Sequence, residues 1–110
     1  ENIVYDNYSV NIYLDNTANC TVQNNIVWSN NAAFYRDGGP AQSVMCADED
    51  YGSGSAYHVT VTGNVVTNNK ILSGNPAPFY GTFGRNTGPG TSVFSPNTTI
   101  TTIDERWRAA

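Results

Sequence analysis

The side chains best suited to chemistry in this 110-residue chain are acids and tyrosines. The densest charge is the run Asp48-Glu49-Asp50, three adjacent carboxylates that repel one another unless a cation or solvent relieves them. Calcium is a hard cation that gathers carboxylate and carbonyl oxygens, so Asp48, Glu49 and Asp50 are candidate Ca2+ ligands, with Asp15 or Asp37 as helpers. The spacing is not that of an EF-hand, and a solvated acidic turn is the alternative. Tyr13, Tyr51 and Tyr80 each offer a flat apolar ring with a hydroxyl, which suits the C–H face and the hydroxyls of a sugar. Arg36 or Arg85 would suit a carboxylate on such a ligand. Other chemistries find little support. His58 is the one histidine, and with Cys20 and Cys46 far apart it makes no zinc site. There is no nucleophile elbow, and Gly52-Ser53-Gly54-Ser55 lacks the Gly-Lys ending of a phosphate cradle.

These groups act together only if a scaffold gathers them, and the scaffold is written as a repeat. Asn2-Ile3-Val4-Tyr5-Asp6-Asn7, Asn25-Ile26-Val27-Trp28-Ser29-Asn30 and Asn64-Val65-Val66-Thr67-Asn68-Asn69 align at steps of 23 and 39 residues. The preceding stretches, 20–25 and 59–64, alternate apolar and polar residues with the period of a half-buried strand. They pair Asn24 with Gly63, two residue types that tolerate positive φ and so mark a tight bend. A further strand, 10–16, alternates with Val10, Ile12 and Leu14 inward. Residues 43–48 match it 32 positions on, placing Val44 with Ile12 and Cys46 with Leu14. The second repeat therefore carries two insertions, near 31–42 and 50–56.

Three short strands per turn describe one rung of a parallel β-solenoid, with rungs stacked ~4.8 Å apart. Asn2, Asn25 and Asn64 would then line up as a column of amides, each both donating and accepting. The segments Asn-Cys-Thr-Val-Gln-Asn-Asn-Ile-Val-Trp-Ser-Asn-Asn at 19–31 and Val-Thr-Val-Thr-Gly-Asn-Val-Val-Thr-Asn-Asn at 59–69 carry a resemblance to a known family. So do Tyr-Ser-Val-Asn-Ile-Tyr-Leu-Asp-Asn at 8–16 and Ala-Asp-Glu-Asp-Tyr-Gly at 47–52. The chain resembles the right-handed parallel β-helix repeat family, the pectate-lyase-like group, over residues 1–85. The expected fold is thus all-β, a right-handed parallel β-helix (β-solenoid) of about three to four rungs. Residues 86–110 would add a Gly/Pro-rich loop, a last rung around Val93-Phe94 and 98–103, and a C-terminal cap with one aromatic anchor, Trp107. With no N-terminal cap before Glu1, the expectation is the C-terminal part of a longer solenoid, or end-to-end self-association.

Insertions flanking one strand of a repeat mark a working face. That face would present Tyr13 and Asp15 from the first rung, Met45 with Ser43 and Ala47 from the second, and Tyr80 from the third. Arg36 and Asp37 would approach from one loop and Tyr51 from the other. The resemblance implies a secreted or cell-surface module that binds or processes polysaccharide, as a lyase or glycoside hydrolase if it is an enzyme. A non-enzymatic structural or adhesive segment of a surface protein is the alternative.

Composition narrows the partners. A net charge of -4 and singly scattered bases leave no basic face for nucleic acid. Apolar runs such as Ala32-Ala33-Phe34-Tyr35 are no longer than four residues, too short for a membrane-spanning helix. Hydrophobic content of 39% argues against disorder. Cys20 and Cys46 read either as a disulfide or as two small buried thiols.

Overall fold

The computed structural model describes residues 1–30, 42–49, 60–83 and 88–109. Within them the chain is all-β apart from one terminal helical turn. The strands are β1 (Ile3–Tyr5), β2 (Val10–Asp15), β3 (Thr21–Gln23), β4 (Ile26–Trp28), β5 (Gln42–Glu49), β6 (Val65–Thr67), β7 (Lys70–Leu72), β8 (Phe79–Phe83) and β9 (Thr98–Ile100). The helix α1 (Arg106–Ala109) follows. The strands are short because corners punctuate them. Asp6, Asn16, Asn19, Asn24 and Asn68 all sit at φ between 51° and 61°. Asn and Asp enter this left-handed region more readily than other residues with a Cβ, which accounts for four of the asparagines in the chain.

Every pairing among the described residues is parallel. One sheet runs β1-β4-β7-β9, a second β2-β5-β8 and a third β3-β6, where a bridge from Val65 to Val93 adds a further partner. The chain visits the three sheets in the same order each time and returns to the first. Register follows the alternation. Ile3 faces Ile26, Ile12 faces Val44 and Leu14 faces Cys46, as the steps of 23 and 32 residues require.

The third repeat is a correction. Val22 pairs with Val66 and Val27 with Ile71, a step of 44 residues and not 39. The stretch 61–69 contains two similar corners, Gly63-Asn64 and Asn68-Asn69, just as 19–25 contains Asn19-Cys20 and Asn24-Asn25. Residue likeness matched Asn24 with Gly63. Geometry matches Asn24 with Asn68, and Asn19 with Gly63, whose hydrogen lies where a Cβ would strike the Asn19 side-chain oxygen. Asn64 accordingly accepts the Cys20 amide at 3.0 Å, outside the expected column.

The column keeps Asn2 and Asn25 and continues through Asn69 and Asn97 in place of Asn64. Asn2 donates to Asn25 (3.1 Å), Asn25 to Asn69 (2.9 Å) and Asn69 to Asn97 (2.9 Å). The backbone N–H groups of Asn25 and Asn69 join the same acceptors, so the corner polar groups find partners inside the protein. Beside this ladder lies the core of Val22, Val44, Cys46, Val61 and Val66, with Ile12, Leu14, Tyr80 and Phe94 packed against it. Each buried valine contributes roughly 1.5–3 kcal/mol of transfer free energy. Burial pushes the Cys46 thiol up to about 11, with neighbouring Cys20 adding to the shift; both thiols are free.

One further expectation changes. Ser43, Met45 and Ala47 do not form an open outer face: they are 0%, 4% and 0% exposed. Met45 lies in register between Tyr13 and Phe79, so its neighbours on both sides carry rings. The C-terminal segment reaches the four-stranded sheet, where Trp107 meets Trp28 at 5.9 Å between ring centroids. The two insertions, near 31–42 and 50–56, lie outside the described residues apart from Gln42, which opens β5.

Candidate functional site

The C-terminal ends of β2 and β5 bring several of the expected residues together. Alternation puts Tyr13 and Asp15 on the face of β2 opposite Ile12 and Leu14. Tyr13 is 41% exposed and donates its hydroxyl to Glu49 Oε2 at 3.0 Å. Asp15 Oδ1 accepts the Asn16 amide at 3.0 Å and the Glu49 backbone N–H at 3.2 Å. Asn16 also donates from Nδ2 to the Glu49 carbonyl at 2.9 Å. Its backbone N–H reaches the Ala47 carbonyl at 2.8 Å. A φ of 51° turns the chain there and aims the amide across to β5. The result is a half-exposed patch with a phenol and two carboxylates.

Asp48 and Glu49 were expected together as metal ligands, but strand geometry separates them. Both belong to β5, so they point to opposite faces. Asp48 is fully buried, in register with Thr82, while Glu49 reaches the patch. Among the described residues, no three His, Cys, Asp or Glu side chains converge as a metal centre. Asp50 lies outside them, as do Arg36, Asp37, Tyr51, His58 and Arg85.

Two more candidates fall elsewhere. Tyr80 pairs with Cys46 and packs against the core, so it does not share a face with Tyr13. Met45 is buried beside the patch. Reading residues by chemical type missed Asn16. The available signal was an Asn closing a run of strict alternation, the position where a left-handed corner is needed.

Two clefts among the described residues lie away from this patch. One of about 280 Å³ is lined by Leu72, Gly74, Ala77, Pro78 and Thr98 among others, and its Asn75 is occupied by both backbone groups of Ser29. Another of about 310 Å³ lies by Glu1, Asn24, Asn68 and Lys70. Neither groups carboxylates with an exposed ring, so the β2–β5 patch remains the better candidate on chemistry. No family model, curated protein or solved structure matches this chain.

Proposed function

We propose that the chain is a short right-handed parallel β-helix of the pectate-lyase-like kind, serving outside the cell as a polysaccharide-binding module. The recurrent order of the three parallel sheets supports the fold, and the strong right-handed bias of parallel crossovers supports its hand. The Tyr13–Glu49 hydrogen bond, with Asp15 beside it on an exposed edge, carries the functional reading. A half-exposed tyrosine ring covers the apolar side of a sugar, and carboxylates accept pairs of its hydroxyls. Because the patch offers hydrogen-bond acceptors and the chain carries a net charge of -4, the favoured ligand is a neutral, hydroxyl-rich glycan.

Calorimetric titration with neutral and uronate oligosaccharides tests this. Neutral oligosaccharides should bind, and Tyr13→Ala or Glu49→Gln should weaken them about tenfold, or roughly 1.4 kcal/mol. Binding that is indifferent to both substitutions would remove the site, and binding of uronates alone would overturn its assignment to neutral sugars.

A further inference from the structure

The C-terminal segment is braced by its own hydrogen bonds. Asp104 accepts the Arg106 backbone N–H at 3.0 Å and its Nε at 2.9 Å, and caps the short helix. Those bonds hold the Asp104 carboxyl down at about 2. Trp107 and Arg108 donate their backbone N–H groups to the carbonyls of Asp104 and Glu105. Arg108 also pairs with Glu105 at 3.1 Å. All of these contacts are internal to 104–108.

Among the described residues, two of its side chains reach the rest of the protein. Trp107 packs on Trp28 with the rings tilted by 43°. Arg108 bonds Asn30 Oδ1 at 3.1 Å and pairs with Asp6 at 3.5 Å. The receiving surface is itself braced. Asp6 accepts the Asn30 amide at 2.8 Å and donates its own to the Trp28 carbonyl at 3.1 Å. Between strand and helix, Thr101 and Thr102 are exposed, leaving a solvent-facing connection.

The surface's shape selects its ligand. Tyr5 and Trp28 stack face to face, 4.6 Å apart and 3° from parallel. The Arg108 guanidinium lies 5.1 and 5.5 Å from the two centroids, which places it alongside the stack. A tilted aromatic ring and a cation next to a carboxylate are what fit. The indole N–H of Trp28 is buried without an acceptor among the described residues, so the closed arrangement leaves one donor unpaired.

We propose that the outer surface of β1 and β4 is a receptor for a Trp–Arg segment, filled in cis by residues 104–109 and in trans by the same segment of a second copy. Exchange needs no new contact, only a connection that no longer closes on its own body. Deleting Thr101 and Thr102 shortens it by about 7 Å, more than one strand spacing of ~4.8 Å. The deletion variant should sediment as a dimer, and adding Trp107→Ala should return it to monomer. A natively folded deletion variant that stays monomeric overturns the proposal. If the deletion does not fold, a labelled peptide of residues 101–110 added to the full-length Trp107→Ala chain decides. It should bind saturably, and Asp6→Asn should weaken it about tenfold. Absence of saturable binding overturns the proposal.

Discussion

Asn69 ties the corners at Asn25 and Asn97 together through one side chain. Its Oδ1 accepts both the backbone and the side-chain N–H of Asn25, and its Nδ2 reaches Val22 O and Asn97 Oδ1. The side chain is fully buried. Asn69→Ala would strand the Asn25 donors and the Val22 acceptor where water cannot follow, at about 1–3 kcal/mol for each unsatisfied group. Asn2 makes one such bond at an exposed end, so Asn2→Ala should cost about 1 kcal/mol or less. Urea unfolding of the two variants should give that order, and equal losses would refute the ladder as a source of stability. The abundance of Asn made such a ladder readable from sequence. Which asparagine joined it was not readable, because Asn64 and Asn69 both follow a residue that takes positive φ, and only the paired backbone distinguishes them.

At the scale of elements, β2 and β5 were the most legible, because six alternating residues leave one register that keeps Ile12, Leu14, Val44 and Cys46 inside. Legibility failed at the other face of β5. Alternation predicts which side Met45 takes, but it does not say that this side is closed as well. Asp48 and Glu49 read as a turn for the same reason: acids look solvated until a strand places one of them inside. Burial of β5 has a consequence in pH. Cys46 ionises near 9.0 when unfolded and near 11 when folded, so above pH 9 the unfolded chain loses its proton first. Stability from this residue should be level below that point and decline between the two values, by about 2–3 kcal/mol at most. Tyrosines titrate nearby, so the measurement is the difference between the parent and Cys46→Ala. That difference should shrink as pH rises from 9 to 11, and a constant difference would show that the thiol ionises freely in the fold.

For the whole molecule, a stack of parallel strands is nearly one-dimensional, with each layer held by its neighbours. The edge strand β1 should then open first, and β4 and β7, flanked on both sides, should open last. The C-terminal segment changes that expectation. It leaves the sheet at Ile100 on the β9 edge and returns to Trp28, Asn30 and Asp6, beside β1 at the opposite edge. The segment therefore ties both ends of the sheet together, and β1 gains support its position alone would not give. Amide exchange separates the two cases through bonds that report on single layers. Asp6 and Ile26 donate between β1 and β4, whereas Lys70 donates between β4 and β7. In Trp107→Ala, exchange at Asp6 and Ile26 should accelerate about tenfold or more while Lys70 stays near its parent rate, as expected of a local opening. If all three accelerate together, the sheet opens as one unit and the tie is not specific to β1. If none changes, the contact with Trp28 contributes nothing to holding the edge.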